Sequence, residues 1–240
     1  MIDVLDRRVF VLGLAVLLAG CAPRQMEDTG AGLVSDPATP GPAPPAPPAP
    51  PATGEAQAAA DLFGAIERRR SVRAFAADPV SGEHIALMMR SAQGITDPAS
   101  GFRAAPSAGA LYPLELYAAA ADGVYRYSPA DDELRRLNDN DVRRVLALAA
   151  LAQMFIAEAP VVFVVNAVYA RTAAKYGERA ERYVHLEAGH AAQNLMLTAV
   201  HLGLGSVAIG AFVDEGVRRA IAAGNDETPL YLIPVGTPER

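Results

Sequence analysis

Cysteine is almost absent from this sequence: Cys21 stands alone in 240 residues. One thiol cannot close an intrachain disulfide, so the fold must be held by burial and hydrogen bonding in any compartment. Lysine is equally scarce, since Lys175 is the only one among 21 basic residues and the rest are arginine, a bias that reflects genome composition more than function. The net charge is -6 and no basic block exists to neutralise a phosphate backbone, which argues against a nucleic-acid partner. The patterns G-x-S-x-G and H-E-x-x-H and a Walker loop are missing, so hydrolase, protease and nucleotidase readings have no anchor. His84 and His201 have no acidic or thiol company at ligand spacing, and His185 and His190 do not share a helical face, so no metal site is expected. No internal repeat is evident.

What is present divides into three parts: a leader at residues 1–21, a linker at 22–56 and one sizeable domain at 57–240. In the leader, Arg7 and Arg8 precede an apolar core from Val9 to Leu18, and Leu18-Ala19-Gly20-Cys21 resembles a bacterial lipoprotein box with Cys21 as the lipidated residue. The arginine pair also resembles a twin-arginine export signal, the route for proteins that fold before export, with Asp6 where Ser or Thr is usual. The linker is mostly Pro, Ala and Gly. It cannot bury a core, favours extended polyproline II and reads as a spacer between membrane and domain.

Within the domain, helical spacing runs from Ala56 to Arg70 and again from Ser81 to Gln93, the latter capped by Ser81 with Ile85, Met88 and Met89 inward. Leu114 to Ala121 and Gly123 to Tyr127 read as strands joined by a tight turn. Asp141 to Ala157 is expected as one helix with Val145, Leu148, Leu151, Ala152 and Phe155 as its apolar stripe. The nearly continuous apolar run from Ala159 to Val168 is expected as a central strand. A short helix from Asp214 to Ala223 and a strand from Leu230 to Val235 complete an α+β pattern without regular alternation.

The stretch from Tyr183 to Val213 organises the rest. After Glu187 no charged residue occurs until Asp214, and Ala188, Ala191, Ala192, Leu195, Met196, Ala199, Val200 and Leu202 cover more than one helical face. Such a helix belongs at a domain centre or a subunit interface. A membrane span is the competing reading, but His190, Gln193, Asn194, Thr198 and His201 would be costly in lipid. Gly203, Gly205 and Ala208 spell a dinucleotide-like G-x-G-x-x-A, yet here it closes a helix and precedes a strand, the reverse of the nucleotide-binding order. Ser206 to Ile209 reads as that strand.

Several stretches coincide, in order, with one family pattern. Arg69-Arg70-Ser71-Val72-Arg73, Pro106-Ser107-Ala108-Gly109-Ala110-Leu111-Tyr112-Pro113, Lys175-Tyr176, the Glu187 to Asn194 run, Gly203 through Phe212, and Leu232 to Gly236 together resemble the nitroreductase superfamily of FMN enzymes. The Pro-Ser-Ala-Gly-Ala-Leu-Tyr-Pro form is typical of its SagB-type branch, which includes azoline oxidases. The resemblance implies a homodimeric α+β fold with the long helix at the interface and FMN sites built from both chains. It implies that Arg69, Ser71 and Arg73 hold the phosphate and ribityl chain, with Arg70 at a further motif position. Pro106, Ser107, Ala108 and Gly109 would pack on the flavin from the partner subunit. Ile209 and Gly210 fall where backbone meets the reactive edge of the ring, and Arg240 is the residue beyond the last strand that would serve the phosphate. Lys175 and Tyr176 match a pair that removes a proton while flavin accepts hydride, a role open to a lysine whose pKa burial lowers. A surface lysine on a polar helix is the competing reading.

The expectation is therefore an exported, lipid-anchored, FMN-dependent oxidoreductase acting on a small or peptidic substrate. Reduced nicotinamides are largely cytoplasmic, so such an address favours a dehydrogenase or oxidase passing electrons to oxygen or a quinone. The alternative is a non-catalytic lipoprotein that uses the same fold to bind a flavin or another planar ligand.

Overall fold

A computed structural model describes residues 53–239, with backbone alone for residues 53–60. The leader, Cys21, most of the linker and Arg240 lie outside the described residues. Fifteen helices and strands are named in chain order: α1 (Thr53–Arg68), α2 (Gly82–Gln93), β1 (Ile95–Asp97), β2 (Phe102–Arg103), β3 (Leu114–Ala120), β4 (Gly123–Ser128), β5 (Glu133–Asn138), α3 (Arg143–Ala149), α4 (Phe155–Glu158), β6 (Val161–Ala167), α5 (Tyr169–Tyr176), α6 (Ala180–His201), β7 (Gly205–Ser206), α7 (Asp214–Ala220) and β8 (Thr228–Gly236).

Six strands form one antiparallel sheet in the order β5-β4-β3-β6-β8-β7. At its centre β6 has no exposed residue, as a continuous apolar run requires when helices cover both faces. Its period of two divides it between two cores. Val161, Phe163, Val165 and Ala167 pack with Ile85, Met88 and Met89 of α2 and Ala191 and Leu195 of α6. Val162 and Val164 pack on the opposite face with Leu146 of α3, Ile156 of α4 and Val217 of α7. The result is the expected α+β architecture, a mixed layer structure around one antiparallel sheet with a long central helix.

The cap on α2 forms as its sequence dictates, with Ser81 Oγ accepting from the His84 N–H at 3.2 Å. The expected helix from Asp141 to Ala157 is broken. Leu151 and Ala152 adopt positive φ of 58° and 59°, so α3 stops at Ala149 and α4 restarts at Phe155. The buried face is Val142, Leu146, Ala147 and Ala150, while Val145, Leu148 and Leu151 of the expected stripe are exposed. Both stripes have helical spacing, and the buried one is the stripe that packs with Ile156 of α4, Val217 of α7 and Val162 and Val164 of β6. The expected strand at Ser206 to Ile209 is likewise shorter: β7 ends at Ser206, and pairing resumes only as a single bridge between Ile209 and Leu232.

The central helix α6 is not covered all round within one chain. Val184, Glu187, Ala188, Ala191, Ala192, Leu195, Met196 and Ala199 are buried, whereas Leu186, His190, Gln193 and His201 are exposed. On α1, Leu62, Phe63 and Ile66 are also exposed. Among the described residues no helix is long and apolar enough to cross a membrane.

Candidate functional site

Two groups of the expected residues come together, on different parts of the chain. The first begins where α1 ends. Residues 71–76 run along the sheet edge as an added partial strand: Ser71 pairs with Ser206, the Val72 N–H donates to the Ser206 carbonyl at 3.0 Å, and Phe75 pairs with Pro238. Gly205 permits this approach, because a Cβ there would lie 2.6 Å from Val72 Cγ2. The edge therefore fixes the backbone that carries Ser71 and Arg73, both exposed, beside partly exposed Arg69. Arg70 turns back, donating from Nη1 to the Glu67 and Arg69 carbonyls at 2.8 Å each, and so caps the helix end. Arg73 lies 6.0 Å from the Phe155 ring centroid. Among the described residues no ion pair occupies Arg69 or Arg73. Ser206 Oγ is buried without a hydrogen-bond partner.

The same edge leads to Ile209 and Gly210. Ile209 exchanges both backbone hydrogen bonds with Leu232 at 2.9 Å, so its N–H is already used. The Gly210 N–H has no partner among the described residues, and a Cβ added there would meet nothing within 4 Å. Of the two expected backbone donors, Gly210 is the one left to offer a hydrogen bond. A small hollow of about 240 Å³ opens beside it, lined by His185, Ala188, Gly210, Leu230 and Tyr231. The Tyr169 hydroxyl lies 2.6 Å from His185 Nε2 at its rim, an association the sequence did not reveal because α5 and α6 bring the two rings together. A larger hollow of about 630 Å³ lies far along the sheet, near Pro79, Asp122 and Arg143. Its guanidinium is occupied by Asp141 and the Ala159 carbonyl.

The second group is the Pro106 to Pro113 loop with the end of α5. Gly109 has φ +64°, and a Cβ on it would sit 2.9 Å from the Tyr176 hydroxyl and 3.0 Å from Lys175 Nζ. Glycine is demanded twice over, by conformation and by space. Ala110 and Tyr112 also hold positive φ, of 54° and 47°, a backbone cost that surrounding contacts must offset. Those contacts are visible. Ser107 Oγ accepts from the Tyr112 N–H at 2.9 Å, Tyr112 Oη accepts from the Arg103 N–H at 3.1 Å, and the Arg103 guanidinium sits 4.4 Å from the Tyr112 ring centroid. Arg171 Nη1 donates to the Tyr112 carbonyl at 3.1 Å and its other arm pairs with Glu115. Lys175 is exposed, so any desolvation it receives must come from a ligand or a second chain.

Behind this loop lies a buried carboxyl, Glu187 of α6, only 3% exposed. Burial pushes its pKa up to about 7, opposed by the nearby Ser107 hydroxyl, the Arg103 charge and the Gln93 amide. Glu187 Oε1 and Gln93 Nε2 are both buried and neither completes a hydrogen bond of ordinary geometry, so those neighbours moderate the desolvation without cancelling it. Gln93 Oε1 accepts from Arg103 Nη1 at 3.0 Å. Burial lowers the Arg103 pKa, with Glu115, Tyr112 and Glu187 opposing. The sequence showed Glu187 as part of a motif but gave no sign of this cluster, since a charged residue opening an apolar helical run reads as its solvated end.

No hydrogen bond among the described residues joins the first group to the second. The sequence pattern of the Nitroreductase family matches residues 66–237. A protein of Methanocaldococcus jannaschii, provisionally named a nitroreductase, is 46% identical over 175 residues, which cover 70% of this chain and 87% of the relative. Among solved structures, a Ralstonia eutropha protein with the same provisional name superposes with a TM-score of 0.68 at 26% identity, over 75% of this chain and 83% of that one. An NADPH:FMN oxidoreductase of Vibrio harveyi, solved with NAD+, shares the fold alone, with a TM-score of 0.56 at 20% identity over 75% and 70% of the two chains. The matched span includes both groups of residues, and with it the chain belongs to the nitroreductase family of flavin-dependent oxidoreductases.

Proposed function

We propose that the protein is an FMN-dependent oxidoreductase of the SagB-type branch, working as a homodimer that removes hydride from a small or peptidic substrate. The carrying observation is Gly109, whose missing side chain seats the Lys175 ammonium and the Tyr176 hydroxyl against the Pro106 to Pro113 loop. That contact brings the expected proton-removing pair to the expected flavin-packing loop.

The residues fit a phosphorylated flavin. Arg69 and Arg73 carry unspent charge, Ser71 is exposed between them, and the buried Ser206 Oγ beside them lacks a partner. Gly210 offers an N–H over open space, and Pro106, Ser107, Ala108 and Gly109 present a thin, small-residue wall. Arg240, outside the described residues, would add charge at the phosphate. FMN, when bound, supplies the two-electron acceptor for hydride. Lys175, as the neutral amine, would take the proton that leaves the substrate, with the Tyr176 hydroxyl beside it to orient the pair, and Arg69 and Arg73 would hold the phosphate end in place.

The two residue groups do not meet through hydrogen bonds in one chain, which favours a site completed by a second copy. Exposed Leu62, Phe63, Ile66 and Leu186 give that copy apolar surface to cover. The leader supports the address: with Cys21 lipidated and the Pro/Ala linker as spacer, the domain stands outside the cytoplasm and passes electrons to oxygen or a quinone. Membrane fractionation of a Cys21→Ser variant tests that address separately.

The decisive experiment is the visible spectrum of the purified full-length chain, followed by heat release of its chromophore. FMN near one per chain, bleached by substrate without air and restored by oxygen, is the expected result. A colourless protein that refuses added FMN overturns it.

A further inference from the structure

We propose that His185 is a specificity-determining residue, and that the hollow beside Gly210 is the subsite where it receives an uncharged carbonyl-bearing end group of the substrate, an amide or a ketone. The inference deepens the FMN reading and rests on it for the place of the hollow in the reaction. The hollow holds about 240 Å³ and is lined by His185, Ala188, Gly210, Leu230 and Tyr231. Pockets that enclose a whole small-molecule ligand begin at about 300 Å³, so this one takes part of a substrate and leaves the rest outside. No Asp, Glu, Lys or Arg lines it. A charged group would give up its hydration there and meet no opposite charge, whereas a neutral carbonyl gives up less and needs only one donor.

His185 supplies that donor. The Tyr169 hydroxyl of α5 meets Nε2 of His185 on α6 at 2.6 Å, and the two rings stand edge to face with centroids 5.8 Å apart. A phenol and a neutral imidazole bring one hydrogen each, so one is left over whichever group donates. Two considerations place the spare one on the imidazole. Tyr169 is half-buried and His185 is exposed, so a hydrogen without a protein acceptor costs less on His185. The phenol hydrogen is also the more acidic, and the bare imidazole nitrogen is the more basic acceptor. Tyr169 therefore donates, Nε2 accepts and the ring hydrogen sits on Nδ1, the tautomer being set by the bond the other nitrogen makes. Among the described residues no hydrogen bond engages Nδ1, which leaves its N–H unspent on a ring that lines the hollow.

Gly210 ties this donor to the reacting centre. On the FMN reading its free N–H goes to the flavin, and the same residue forms part of the hollow, so an end group held by His185 lies next to the reacting edge of the ring. Tyr169 acts through His185 and is a positioning residue. By fixing the imidazole before the substrate arrives, it removes part of the rotamer freedom that binding would otherwise cost.

The test uses the full-length chain loaded with FMN, benzamide as the probe and benzoate as its charged counterpart. Nitrogen NMR of the histidine rings reports the tautomer, the His185 signal being the one missing in His185→Ala, and isothermal titration gives the dissociation constants. The Nδ1–H form of His185 is expected in the wild type and a mixture of tautomers in Tyr169→Phe. Benzamide should bind about threefold more weakly to Tyr169→Phe and about tenfold more weakly to His185→Ala, as loss of one hydrogen bond does, with partial recovery in His185→Asn, whose amide keeps a donor. Benzoate should bind at least tenfold more weakly than benzamide, and flavin content should be the same in every variant. Benzoate that binds as tightly as benzamide, a wild type that fails to bind benzamide, or an Nε2–H form of His185 overturns the proposal. So does benzamide that displaces FMN, since the hollow would then belong to the seat of the flavin itself. If the chain takes up no FMN, the functional reading fails, and benzamide titration of the apo chain, followed at the His185 signal, alone decides the subsite.

Discussion

Gly109 and Tyr176 are in such close register that the hydrogen on one Cα is all that separates loop from phenol: a methyl group would stand 2.9 Å from the hydroxyl oxygen. The loop and the α5 terminus therefore move as one unit. Gly109→Ala is expected to cost about 1 kcal/mol for the positive φ. It should also displace Tyr176 and the end of Lys175, lowering kcat at least tenfold, a larger loss than that of bound flavin. Parallel measurement of kcat and of bound flavin checks the split; equal losses in both would place the damage elsewhere.

Glu187 should make the protein less stable as pH rises. Its ordinary pKa of 4.5 is raised to about 7 in the fold, so the native state binds the proton more tightly than the unfolded chain. The stabilisation is fully present below pH 4.5 and is lost progressively as pH rises to about 7, amounting to about 3 kcal/mol at most. Glu187→Gln is expected to remove that slope and to melt higher than wild type at pH 8. Thermal melts across pH for both proteins give the answer; coincident curves would show that the buried carboxyl is hydrated in solution.

Arg69 and Arg73 should contribute to affinity, and Arg70 to helix integrity. Replacing Arg69 or Arg73 by Ala is expected to weaken FMN binding by about ten- to a hundredfold, as loss of a charge-assisted hydrogen bond does. Arg70→Ala should change it far less, because its guanidinium is spent on the Glu67 carbonyl of α1 and the Arg69 carbonyl just beyond it. Isothermal titration with FMN ranks the three, and equal effects would show that Arg70 leaves its cap when the phosphate arrives.

A buried triad away from the site provides the contrasting case. Tyr117 donates to Glu227 at 2.9 Å and Asn166 Nδ2 donates to the same carboxylate at 3.0 Å, tying β3 and β6 to the turn before β8. Tyr117→Phe leaves a buried acceptor short of a donor and should cost about 1–3 kcal/mol. Cofactor affinity should be unchanged, as chemical denaturation and FMN titration on the same sample would show.

How far the sequence could be read depended on whether an element's pattern had one solution. The nearly all-apolar β6 and the capped α2 had one, and both stand where expected. The Asp141 to Ala157 segment had two helical stripes, and only the packing of α3 with α4, α7 and β6 chooses between them. β5 could not be seen at all, because Glu133-Leu134-Arg135-Arg136-Leu137-Asn138 is an edge strand with little to bury. At the site, the family pattern singled out Lys175 and the Pro106 to Pro113 loop, but each by itself and not as neighbours. It could not suggest His185 with Tyr169, or Glu187 with Gln93 and Ser107, since those pairs depend on how α2, α5 and α6 cross.

The single bridge between Ile209 and Leu232 marks where the sheet stops one rung early. Because Ile209 exchanges both of its hydrogen bonds with Leu232, the alternation of an antiparallel ladder turns the next N–H, that of Gly210, away from β8. On the FMN reading proposed above, that outward N–H is the donor offered to the ligand, and the strand that presents it is held in place from its other side by β8.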